Sequence, residues 1–139
     1  AAYLYAQLLK EKDIYDSRMG TWNFYNEQLA DLAAEGKITL PYIPEGCEHN
    51  AHMFYIKTKD IEERTRLIDY CKANDVLLVF HYIPLHSAPA GKKYGEFVGE
   101  DKYTTAESER LVRLPLYYGM AEADRQKVVD TIKNFYLGV

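Results

Sequence analysis

The stretch Val76-Leu77-Leu78-Val79-Phe80-His81-Tyr82-Ile83-Pro84-Leu85-His86-Ser87 decides the fold. Its first five residues are apolar without alternation, the pattern of a short strand covered on both faces. We place that strand at Val76 to Tyr82. Two imidazoles and a phenol then gather around Pro84 as the apolar run stops. Strand ends that hand titratable groups to a loop are where sites are built, so His81, Tyr82 and His86 are the candidate functional residues.

Upstream, His52 starts a second strand that continues through Met53, Phe54, Tyr55 and Ile56. Asp60-Ile61-Glu62-Glu63 has the spacing of a capping box, which opens a helix running to about Ala73. Pro41, Pro44 and Gly46 punctuate the segment from Ile38, which therefore crosses the surface as an extended connector with room for a short edge strand. Downstream, Gly91, Gly95 and Gly99 mark a loop-rich insertion, and Thr104-Thr105-Ala106-Glu107 supplies a second capping box for a short helix. Leu111 to Leu116 reads as a short strand interrupted by Pro115. A last helix from near Glu122 to Tyr136 buries Val128, Val129, Ile132, Phe135 and Tyr136.

At the other end, Leu4, Leu8, Tyr15, Met19, Trp22, Tyr25, Leu29 and Leu32 line up as one stripe on a single long helix from Ala1 to about Ala34. Gly20 is the place for a bend and Gly36 for the C-cap. The stripe serves the core or an interdomain contact. The chain opens on Ala1-Ala2-Tyr3-Leu4 with a helical pattern already under way and no N-cap, so we expect a domain cut from a longer polypeptide. Few strands among several helices give an α+β class: one small, mainly antiparallel sheet covered by helices on one face. Residues 1–139 form a single domain.

The net charge of −4 and the lack of a long Lys/Arg run exclude the electrostatic footprint of a nucleic-acid binder. No run of about 18 apolar residues suggests a membrane span. Cys47 and Cys71 are the only cysteines, which suits reduced thiols of the cytoplasm better than a disulfide framework.

Several segments carry a resemblance, in this order: Asn50 to Ile56, Phe80 to Ser87, Pro89-Ala90-Gly91, Gly99-Glu100-Asp101-Lys102-Tyr103-Thr104-Thr105, and Glu107 to Leu116. Together they resemble the C-terminal part of sugar aminotransferases of the DegT/DnrJ/EryC1/StrS family. That resemblance implies the small domain of a fold-type I enzyme dependent on pyridoxal phosphate. It implies a cytosolic homodimeric parent that aminates carbon 4 of a dTDP-4-keto-6-deoxyhexose, with glutamate as donor, on the way to surface polysaccharide. It also implies that the Schiff-base lysine lies in a large domain upstream, so that this chain alone binds no pyridoxal phosphate and is inactive. In the family the matching histidine segment sits at the mouth of the active site. The resemblance therefore places His81, Tyr82 and His86 near the cofactor or the sugar nucleotide.

The residues alone leave other readings open. Imidazoles can donate to sugar hydroxyls or phosphate near neutral pH, but either histidine can equally be a hydrogen-bonded cap on its strand. The lysines all sit in charged or loop contexts and read as solvated. Cys47, His49 and His52 are close in sequence, yet their spacing is not that of a zinc finger. Lys92 and Lys93 lack the strand-to-helix setting of a phosphate loop. Arg110 and Arg113 flank the third strand, where Glu107 and Glu109 are available partners. Because a fold does not fix a function, a non-enzymatic interaction or regulatory domain is the alternative class.

Overall fold

A computed structural model describes residues 1–138. Three helices come first, α1 (Ala2–Leu8), α2 (Glu11–Gln28) and α3 (Ala30–Ala34). β1 (Phe54–Lys57), α4 (Ile61–Ala73) and β2 (Val79–Phe80) follow, then α5 (Pro89–Tyr94), α6 (Thr104–Arg110), β3 (Leu111–Leu114) and α7 (Glu122–Leu137). The sheet order is β1-β3-β2, antiparallel throughout, with Tyr55 and Val79 both opposite Arg113 on the central strand. Thr39 adds an isolated antiparallel bridge to Lys57, the short edge pairing the connector allowed. The α+β architecture with a small antiparallel sheet is therefore the one read from the sequence.

One face of the sheet makes the core. Phe54 and Ile56 of β1 and Val112 and Leu114 of β3 point inward and are buried. They meet Trp22, Tyr25 and Leu29 of α2 and its extension, Leu67 and Cys71 of α4, and Val128, Val129 and Ile132 of α7. The Phe54 ring lies edge-on to both Trp22 (5.3 Å) and Tyr25 (5.4 Å), a favoured geometry for aromatic pairs. α7 packs against both α2 and α4.

Several expectations need correction. The N-terminal stripe does not ride on one helix. The helix breaks at Leu9 and Lys10 and again at Leu29, whereas Gly20 sits inside an unbroken α2. Only the C-terminal half of the stripe is core: Leu4 and Leu8 are each 60% exposed, and α1 buries nothing. Gly36 does end the segment, at φ +72°. The Lys37 amide donates to the Leu32 carbonyl and the Gly36 amide to that of Ala33, both at 3.0 Å, a Schellman closure.

The apolar run before His81 is not covered on both faces. Val76 and Leu78 are buried, but Leu77 is 68% exposed and Val79 40%. The regular strand is only Val79–Phe80, at the sheet edge, where among the described strands it pairs with β3. The strand expected from His52 begins at Phe54. Gly91 belongs to α5 and not to a loop.

The two capping boxes differ. At α4 the Glu63 amide donates to Asp60 Oδ1 (2.8 Å), and the Glu63 carboxylate accepts from the Lys59 amide (2.7 Å). At α6 the expected box is absent: Asp101 accepts from the Thr105 amide, while Glu107 turns to Lys57 Nζ at 2.6 Å. A full cation on β1 outcompetes a neutral amide for that carboxylate.

Candidate functional site

Beyond Phe80 the chain turns at once. Tyr82 adopts φ +62°, a left-handed conformation that costs a residue with a side chain on the order of 1–2 kcal/mol. Its carbonyl accepts from the Ser108 hydroxyl of α6 at 2.8 Å, which holds the turn in place. The amides of Ser87 and Ala88 both donate to the Pro84 carbonyl at 3.0 Å, and α5 follows. α5 lies against this turn because residue 91 is glycine: a Cβ there would stand 1.6 Å from the Leu85 carbonyl oxygen.

The three residues picked out by the sequence are not brought to one place. His81 lies beside β3, with Arg113 Nη1 3.4 Å from its Nδ1, and its ring is edge-on to that of Tyr82 at 4.8 Å. The Tyr82 side chain is exposed. His86 instead belongs to a cluster with α6. Its Nε2 is 3.0 Å from Asp101 Oδ2 and 3.2 Å from Thr105 Oγ1, and its ring lies 4.6 Å from that of Phe97. The Thr105 hydroxyl, followed by its amide and by His86, holds the Asp101 carboxyl below the usual carboxylate range. His86 thus ties the turn to the start of α6.

Two hollows flank these residues. One, of about 470 Å³, is lined by Leu85, His86, Ala90, Tyr94, Glu96 and Phe97. The other, of about 260 Å³, runs along the open sheet face past His52, Met53, Leu77, Val79, Arg113 and Leu116. Neither lining holds a lysine, so neither offers an amine for a Schiff base. Elsewhere Lys12, Lys37, Lys57, Lys102, Lys127 and Lys133 face carboxylates.

The His49 ring lies 4.3 Å from that of Trp22, tilted by 51°, and its Nδ1 accepts from the Ala51 amide at 3.2 Å. Among the described residues no group of three or more His, Cys, Asp or Glu side chains is placed to hold a metal ion. Among the described residues no helix is long and apolar enough to cross a membrane. Cys47 is exposed, Cys71 is buried, and both are free.

Of the partners, the sequence offered Glu107 for Arg110 but not those of His81 and His86. Arg110 does pair with Glu107 (3.5 Å) and gives its Nε proton to the Thr58 carbonyl at 2.8 Å, but Arg113 takes neither glutamate. Only the cross-strand register, which sets Val79 against Arg113, brings Arg113 to the histidine that follows. Asp101 and Thr105 carry the resemblance in the sequence but show no sign there of binding His86.

A small antiparallel sheet with helices on one face defines a small α+β domain, with the two histidine-bearing turns at the exit of its edge strand. The chain belongs to the DegT/DnrJ/EryC1/StrS aminotransferase family, whose sequence profile matches residues 1–133. It is 30% identical over 132 residues to the protein MJ1066 of Methanocaldococcus jannaschii, covering 92% of this chain and 33% of that protein. Among solved structures it is similar to S. venezuelae DesV in complex with a ketimine intermediate (TM-score 0.85, 21% identity, 96% of this chain and 35% of that one). It is similar too to NtdA of Bacillus subtilis with bound cofactor PMP (TM-score 0.73, 24% identity, 88% of this chain and 28% of that one). The chain spans about a third of the length of these relatives.

Proposed function

We propose that this chain is the C-terminal small domain of a pyridoxal-phosphate-dependent sugar aminotransferase of the dTDP-4-amino-4,6-dideoxygalactose transaminase type. The parent moves an amino group from glutamate to carbon 4 of a dTDP-4-keto-6-deoxyhexose, and works as a cytoplasmic homodimer. The Schiff-base lysine comes from outside residues 1–139. The family match through residue 133 carries the reading. The bound cofactor of NtdA supports the cofactor, and the Gly99 to Thr105 segment, which resembles the same subgroup, supports the sugar class.

In this reading the chain's part is recognition. His81 and the exposed Tyr82 face the sugar nucleotide, while His86 holds the shape of the segment that presents them. The bare outer face of β2, with Leu77 and Val79, lies against the rest of the polypeptide.

The test is an assay of the intact protein with pyridoxal phosphate, glutamate and dTDP-4-keto-6-deoxyglucose, with mass detection of the dTDP-amino sugar. Formation of a 4-amino product and 2-oxoglutarate is expected. An intact protein that binds the cofactor yet aminates no dTDP-4-keto sugar overturns the substrate assignment, and one that binds no cofactor overturns the enzyme.

A further inference from the structure

We propose that Arg113 is a positioning residue that selects the tautomer of the His81 ring, keeping the proton of the neutral imidazole on Nε2. The inference deepens the reading above, resting on it for the use to which His81 is put but not for the tautomer itself.

Arg113 occupies the middle of the central strand, opposite Tyr55 on one side and Val79 on the other. Its neighbours Val112 and Leu114 point into the core, so alternation sends Arg113 to the open face. There, among the described residues, no carboxylate pairs with it. Its Nε is shielded from solvent without a hydrogen bond, and its one hydrogen-bond partner among the described residues is the His81 ring. A partly buried guanidinium without a carboxylate does not repay its desolvation through stability, which points to a role in the site.

The chemistry of the contact leaves one choice. Guanidinium has only N–H donors and keeps its proton at any pH a protein survives. The nitrogen it faces at 3.4 Å, His81 Nδ1, must therefore offer its lone pair. In a neutral ring the proton then sits on Nε2, making that atom a donor. A donor is what a sugar hydroxyl or phosphate oxygen accepts from; a general base needs the opposite arrangement. Arg113 thereby assigns His81 to holding substrate and removes it from proton transfer.

The test uses the intact protein labelled with nitrogen-15 histidine at neutral pH. The His81 ring signals are identified by their loss in His81→Asn. Long-range nitrogen–proton spectra should show the Nε2–H tautomer in the wild type and a mixture in Arg113→Met, which keeps the aliphatic stem and drops the donors. Arg113→Met should also lower kcat/KM ~10-fold, the scale for losing a partner that orients a site residue. Arg113→Lys, which still donates, should retain most of both. An Nδ1–H ring in the wild type, or an unchanged tautomer in a folded Arg113→Met, overturns the proposal. If the tautomer behaves as stated but His81→Asn keeps full kcat/KM, the orientation stands and the placement of His81 in the substrate site is what fails.

Discussion

Arg18 should be worth more to this fold than any other charged side chain, and Arg18→Met measures it. The guanidinium of this α2 residue reaches three carbonyls far away in sequence: Ala51 (3.1 Å), His52 (2.6 Å) and Leu116 (3.4 Å). It thus pins α2 to the chain just before β1 and just after β3, beside the groove that contains Arg113. A hydrogen bond from a charged donor contributes ~1.5 kcal/mol at the low end, so the two shorter ones amount to ~3 kcal/mol, and the longest adds little. The His52 contact is open to water, which replaces much of it, leaving ~2 kcal/mol net. Ala51 adds a reason to expect no less. It is buried with φ +48°, and Arg18 holds its carbonyl in that disfavoured conformation. Lysine has no fork and cannot span the carbonyls, so Arg18→Lys should still lose ~1 kcal/mol. Urea unfolding should show the loss as a lower midpoint with unchanged slope, and Tm should fall by roughly 6–10 °C for Arg18→Met. A Met variant within about 0.5 kcal/mol of wild type, the range of an ordinary surface change, would refute the clamp.

Stability should be bounded on both sides in pH. The Lys133 ammonium lowers the Asp31 carboxyl, the Glu63 amide lowers Asp60 and Lys57 lowers Glu107; this stabilisation is complete above their ordinary values of 3.8 and 4.5 and is lost as pH falls through the depressed ones. Burial pushes the Cys71 thiol from 9.0 up to about 12 and raises Tyr25 and Tyr136, so their contribution is complete below pH 9 and disappears as pH rises beyond it; flat stability across pH 9 to 12 in urea melts would contradict this. The exposed Cys47 should react with a thiol reagent in the native chain and Cys71 only after unfolding, so labelling of both at equal rates argues against the packing around α4. His86→Asn should lower Tm as well as activity in the intact protein, because it breaks contacts to Asp101 and Thr105, whereas His81→Asn should cost ~10-fold or more in kcat/KM with Tm nearly held. Equal Tm losses in the two would erase the distinction.

What could be read from the sequence was set by how local its cause is. The Asp60 cap and the Gly36 terminator depend on atoms within six residues, and both formed as read. The periodicity of α7 and the antiparallel α+β arrangement were legible for the same reason: the core face repeats within each element. The long N-terminal helix was misread because its breaks at Leu9–Lys10 and Leu29 fall on good helix formers, while Gly20, the residue that invites a bend, causes none. The second capping box failed through competition, since nothing near Glu107 in sequence announces Lys57 on another strand. The run before His81 was misread for a deeper reason. Unbroken apolarity is the pattern of a strand covered on both faces, and here the outer face is open, with Leu77 and Val79 exposed.

The site shows the same limit from the other side. His81 and His86 look equivalent in sequence, two imidazoles on either side of one proline at the end of one strand. Tyr82 separates them, because its left-handed turn sends the following residues towards α6, whereas His81 stays alongside β3. The partner each ring finds then decides its chemistry. A carboxylate and a hydroxyl face His86 through the same nitrogen, so its ring is spent on holding two segments together. A guanidinium faces His81 through one nitrogen, and among the described residues no hydrogen bond reaches the other. Residue type marked both histidines as candidates; a single positive φ and a cross-strand register, both invisible to local pattern, give the two rings different partners.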